Sequence, residues 1–131
     1  MDLHGEYVVK SADDADQNIF GFASVSVHKD GTVEVDHQDD IIYMRDLELA
    51  AYDFVVEARG SGEDHNGLDA DAVLIESMAF TTEKMEKMGL APDALPQSWW
   101  VGFHIPDRAA YERAKDKGAF SIEGTAVREP V

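Results

Sequence analysis

The sequence predicts an α+β domain built on a mostly antiparallel sheet, and three observations lead there. Short runs of alternating apolar and polar residues recur at Ile19 to Val27, Ala72 to Phe80, Trp99 to Ile105 and Ala119 to Val127, which is the period of half-buried strands. Three other runs, opening near Asp46, Thr81 and Asp107, carry helix start and stop signals. No regular strand–helix–strand alternation joins these elements, so six or seven strands in hairpin-like order with three helices are expected.

Tyr7-Val8-Val9 reads as a short strand and Ser11 to Asp16 as a polar loop. In Ile19 to Val27, alternation places Ile19, Ala23, Val25 and Val27 on one face, with Ser24, Ser26 and His28 on the other. Lys29-Asp30-Gly31 then turns into Thr32-Val33-Glu34-Val35, an Asp-Gly hairpin signal where positive φ is needed. After Ile41-Ile42-Tyr43, a helix capped by Asp46 buries Leu47, Ala50, Ala51, Phe54 and Ala58 and stops at Gly60. A polar loop, Gly60 to Gly67, precedes the strand Ala72 to Phe80, in which Leu74, Glu76, Met78 and Phe80 share a face. Thr81 to Met88 is a short helix closed by Gly89, and Trp99, Val101, Phe103 and Ile105 form the apolar side of the next strand. Of the pair Trp99-Trp100, one ring is expected in the core and the other facing outward. Asp107 caps the last helix, Arg108 to Lys117, with Ala110, Tyr111 and Ala114 inward and Gly118 as its stop. In the final strand the even positions from Phe120 are apolar or small, so Ser121 and Glu123 fall on the more polar face.

Composition narrows the chemistry. With 131 residues and 44% hydrophobic content, the chain is read as a single domain over 1–131, in which 1–17 is an irregular N-terminal strand and loop. The absence of cysteine removes thiolate metal sites, disulfides and cysteine nucleophiles. A net charge of -16, from 27 acidic against 11 basic residues, repels nucleic acid and anionic membranes. Aspartate-rich acidity of this kind suits a protein kept soluble in concentrated salt, so a halophilic host is one reading and an ordinary acidic protein the other. Under the first, thermal stability should rise steeply with molar KCl, and a flat response removes that reading. No signal peptide or apolar span is legible, which points to a start inside the cell.

Chemistry must come from oxygen and nitrogen groups. Ser121, in Gly118-Ala119-Phe120-Ser121-Ile122-Glu123-Gly124-Thr125, is a candidate nucleophile, provided a histidine can take its proton. Five histidines are available: His4 near the terminus, His28 at the hairpin turn, His37 in an acidic loop, His65 in a glycine-edged loop beside Asp64, and His104 on a strand. Spacing does not choose among them, because triad members meet in space. Asp36-His37-Gln38-Asp39-Asp40 offers oxygen ligands for calcium or magnesium but lacks the pattern of an EF-hand, so a solvated acidic loop is the better reading and no metal or cofactor is expected.

The run Trp99-Trp100-Val101-Gly102-Phe103, followed by Asp107, a short helix and Lys117 to Gly124, resembles the end of the tailed-phage prohead maturation proteases. Upstream, Phe20-Gly21-Phe22-Ala23-Ser24-Val25, Asp36 to Ile42 and Glu63-Asp64-His65 resemble the XkdF-type branch of those phage serine proteases, and the likeness covers about residues 18 to 129. It implies an assemblin-like fold, an antiparallel β-barrel with packed helices, and a serine endopeptidase that trims scaffold and capsid precursor in the assembling procapsid of the host cytoplasm. Capsid and scaffold precursor and further copies of the chain are the partners it implies. The family's histidine falls on His65 and its serine on Ser121, with Glu76 matching an acidic strand position that would orient the imidazole; an ion pair with an arginine is the other reading of Glu76. Arg128 is a candidate helper of the oxyanion.

One residue departs from the family pattern. Glu123 stands where glycine is usual, and a carboxylate there opposes a developing oxyanion and favours imidazolium, the wrong state for a base. The second reading is therefore a non-catalytic capsid-assembly domain with the protease fold.

Overall fold

The computed structural model describes residues 3–35, 41–60 and 72–124, of which 3–8, 59–60 and 119–124 are described as backbone. Five strands, β1 (Leu3–Asp13), β2 (Asn18–Val27), β3 (Val73–Phe80), β4 (Gln97–His104) and β5 (Ala119–Gly124), make one antiparallel sheet in the order β3-β4-β2-β1-β5. Helices α1 (Met44–Gly60), α2 (Thr82–Lys87) and α3 (Arg108–Lys117) complete the described elements.

The α+β class and the antiparallel pairing stand, but the closed six- to seven-stranded barrel does not. Closure requires the two edge strands to pair with each other, whereas β3 pairs with β4 and β5 with β1, and the described ladder ends there. The expected strand Thr32 to Val35 forms only isolated bridges, Val27 to Val33 and Val35 to Ile41, so it adds no rung. Its turn is as expected: the His28 N–H donates to the Thr32 carbonyl at 2.8 Å and Gly31 takes φ 90°.

One face of the sheet carries the core. Trp99, Val101, Phe103 and Ile105 are all fully buried, meeting Ile19 of β2, Leu47, Ala50, Ala51 and Phe54 of α1, and Ala110, Tyr111 and Ala114 of α3. The helical stripes were readable because apolar residues three and four apart share one side of a helix. Helix α1 starts at Met44, two residues before the expected cap: the Leu47 N–H bonds the Tyr43 carbonyl, and Asp46 sits in the first turn, where its charge still favours the helix dipole. Thr81 caps α2 by accepting the Lys84 N–H, and Asp107 caps α3 by accepting the Ala109 N–H at 3.0 Å. Met88 closes α2, and Gly118, at φ 74°, closes α3.

Tyr111 fastens α3 to the β1–β2 turn. Its hydroxyl donates to Asp14 Oδ1 at 2.6 Å, and Lys115 Nζ reaches the same oxygen at 2.9 Å. Burial and the neighbouring carboxylate push the Tyr111 phenol up to about 12, while the hydrogen bonds from Tyr111 and Lys115 hold the Asp14 carboxyl below its ordinary value. The same turn contains Gln17 at φ 60°, unusual for a residue with a side chain, held there by its side-chain amide on the Ile105 carbonyl at 2.7 Å and by the Ile105 N–H on its own carbonyl.

Bulges correct two expectations about strand faces. In β3, register shifts between Leu74 and Glu76, so Leu74 packs against the core while Glu76 and Met78 pair with Gly102 and Trp100 on the other face. In β2, shifts between Phe22 and Ser24 and between Val25 and Val27 break the alternation. Ser26 is therefore buried, with its hydroxyl donating to the Ile42 carbonyl.

Candidate active site

Ser121 is the third residue of β5, and the chain delivers it there by a sharp reversal. Gly118 ends α3 in the left-handed conformation that favours glycine, and its carbonyl accepts the Val9 N–H at 3.0 Å, which pins the start of β5 against β1. From that point the register runs Val8 with Ala119, Tyr7 with Phe120, Glu6 with Ser121, Gly5 with Ile122 and His4 with Glu123. Ser121 thus has an acidic residue as its direct cross-strand partner, and His4 occupies the position diagonal to it. Among the described residues β5 has one strand neighbour, so its outer backbone edge is unpaired.

Glu6 and His4 were missed as neighbours of Ser121 because the terminus was expected to be irregular. A signal was present: Leu3, Gly5, Tyr7 and Val9 alternate with His4, Glu6 and Val8, a period of two that extends the short strand to the 11 residues of β1.

Glu76 lies far from Ser121. It is on β3 at one edge of the sheet while β5 is the other edge, with β4, β2 and β1 between them. At ~4.8 Å per strand spacing, that separation is about 19 Å, beyond what one imidazole can bridge. Glu76 is exposed rather than buried, and its Oε1 accepts the Trp100 indole N–H at 3.0 Å. Neither the orienting acid nor the arginine ion pair matches that contact: its partner is an indole on the neighbouring strand.

The remaining histidines have other occupations. His28 Nε2 lies 2.7 Å from Glu34 Oε1, and His104 Nδ1 lies 3.0 Å from Asn18 Oδ1 on the paired strand. His65, His37 with the acidic loop Asp36 to Asp40, and Arg128 lie outside the described residues. Among the described residues no cluster of three or more metal-ligating side chains occurs. No helix of the described residues is long and apolar enough to cross a membrane.

The tryptophan pair divides as alternation requires. Trp99 is fully buried, its indole N–H on Ser77 Oγ at 2.8 Å and its ring edge-on to Phe54 at 5.4 Å. Trp100 is half-exposed on the opposite face, edge-on to Phe22 at 5.1 Å. Phe20 lies over Gly102 on this face: a Cβ at Gly102 would come within 2.6 Å of the Phe20 ring and 3.1 Å of Glu76 Cβ.

No family model, curated protein or solved structure matches the chain. The functional reading therefore rests on the residues and motifs themselves.

Proposed function

We propose that the chain is a serine endopeptidase of virus capsid maturation in which Ser121 is the nucleophile and His65 the base. The observation that carries the reading is the position of Ser121 on an edge strand, immediately after the α3–β5 reversal. An extended peptide can add to the edge of β5 that no described residue pairs with, which would bring its carbonyls alongside the serine. His65 would take the Ser121 hydroxyl proton as Oγ attacks the scissile carbonyl. The imidazolium would pass that proton to the leaving amine, and water would release the acyl group and restore the serine. Backbone N–H groups would stabilise the oxyanion. Glu76 has no part in this scheme, because three strands separate it from β5. The substrate class, scaffold and capsid precursor, comes from the resemblance to prohead proteases.

A second reading, a non-catalytic capsid-assembly domain with the same chain fold, is favoured by one observation. In the ladder Glu6 is the cross-strand partner of Ser121 and Glu123 follows it two residues along β5, so two acidic residues are neighbours of the serine in sequence and register. Fluorophosphonate labelling separates the two readings. The protease reading expects covalent labelling of the folded chain, lost in both Ser121→Ala and His65→Ala. No labelling of folded protein at high salt would leave the assembly domain as the better account.

A further inference from the structure

Three side chains of α3 converge on one residue of the β1–β2 turn. Arg108, Tyr111 and Lys115 are spaced by three and four positions, which puts them on one side of the helix. Arg108 Nη1 donates to the Asp14 carbonyl at 3.3 Å, while the Tyr111 hydroxyl and Lys115 Nζ both donate to Asp14 Oδ1. The two cations also stand over the buried Tyr111 ring, 5.6 and 5.7 Å from its centre. Just ahead of the helix, the side-chain amide of Gln17 in the same turn donates to the Ile105 and Pro106 carbonyls at 2.7 and 3.0 Å.

The turn therefore fixes both the start and the body of α3, and it is the direct continuation of β1. At the far end of the helix β1 takes hold again, through the Val9 N–H on the Gly118 carbonyl. β5 begins at the residue after Gly118, so the placement of α3 decides which residue of β1 each residue of β5 meets. Among the described residues β5 has no second strand neighbour to resist a shift. A slip of one residue would turn Ser121 to the opposite face of the sheet. Global stability is a poor account of the convergence, because the Asp14 side chain is 62% exposed and exposed ion pairs add little to stability.

We propose that Asp14 is a positioning residue for Ser121: by gathering Arg108, Tyr111 and Lys115 it sets where α3 ends, and so where β5 enters its ladder with β1. The proposal rests on the reading of Ser121 as the nucleophile, but its effect on β5 is measurable without turnover.

The test uses the full chain with Asp14→Ala, with Tyr111→Phe, and with Asp16→Asn as a control that removes the same charge as Asp14→Ala. Asp16 lies in the same turn, and among the described residues its side chain bonds nothing on α3. The rate of fluorophosphonate labelling is expected to fall about tenfold or more in Asp14→Ala, to fall less in Tyr111→Phe, and to stay unchanged in Asp16→Asn. A merely structural loss would lower the fraction of chain that can be labelled and leave the rate of the folded fraction alone. Hydrogen exchange is the second measurement: in Asp14→Ala the amides of β5 should exchange about tenfold or more faster, with those of the β3–β4 ladder unchanged. An unchanged labelling rate, no faster exchange in β5, an equal rise across β3–β4, or an effect of Asp16→Asn as large as that of Asp14→Ala would overturn the proposal. If the parent chain is not labelled, the protease reading fails and exchange alone decides: a rise confined to β5 upholds the role of Asp14 in placing that strand, and any other pattern ends it.

Discussion

Trp99→Ala is expected to cost about 3–5 kcal/mol of stability, the range for truncating a large buried aromatic side chain. Trp99 is fully buried on β4, the strand flanked by β2 on one side and β3 on the other. Its ring packs edge-on against Phe54 of α1, and its N–H satisfies the Ser77 hydroxyl across the β3–β4 ladder. Truncation would open a cavity between sheet and helix, and it would remove the donor that ties β3 to β4 through side chains. Because domains of this size are stable by only about 5–15 kcal/mol, a large share of the total would go. Trp100→Ala should cost less, since that ring is only partly buried whereas Trp99 is fully buried. Urea unfolding followed by circular dichroism checks both. A Trp99→Ala loss below about 1 kcal/mol, or a larger loss for Trp100→Ala, would show that the core is not built around Trp99.

Gly102→Ala is expected to destabilise by about 1–3 kcal/mol through overpacking. The added methyl would stand 2.6 and 2.7 Å from two Phe20 ring atoms, distances that force the ring aside, and 3.1 Å from Glu76 Cβ on the other neighbouring strand. Phe20 sits directly over Gly102 from the paired strand, so its ring must move for the methyl to fit. Shortening the ring gives the check: Phe20→Leu in the Gly102→Ala background should recover most of the loss, with a coupling of more than about 0.5 kcal/mol in the double-mutant cycle. Strict additivity of the two substitutions would contradict the contact.

Most of the core was legible in the sequence, and most of the site was not. The buried side of β4 and the stripes of α1 and α3 follow from periods of two and of three to four, which depend only on local backbone geometry. The α3 stop at Gly118, the α2 cap at Met88 followed by Gly89 at φ 86°, and the caps at Thr81 and Asp107 are equally local, since each is completed within a turn of the chain. Bulges are another matter. The extra residue at Ile75 sends Leu74 and Glu76 to opposite faces, and nothing in Leu74-Ile75-Glu76-Ser77 announces it, because the bulge is settled by pairing with β4. Glu76 was expected on an apolar face beside Leu74; it is an exposed residue bonded to Trp100. His4 and Glu6 gained their relation to Ser121 in the same non-local way, through a ladder joining residues over a hundred positions apart.

By itself, then, the sequence determined the α+β class, the antiparallel habit, the core faces of β4 and of two helices, and the point where α3 gives way to the strand carrying Ser121. Those are consequences of side-chain periodicity and of backbone conformations open mainly to glycine, and they need no partner in space. The tertiary structure alone decided the strand order, the open edges and the bulges. Strand pairing is made by backbone hydrogen bonds common to all residues, so which strands meet is chosen by global packing against α1 and α3. That choice left the sheet open, put Glu76 and Ser121 at its two edges, and brought Glu6 and His4 to the strand beside the serine.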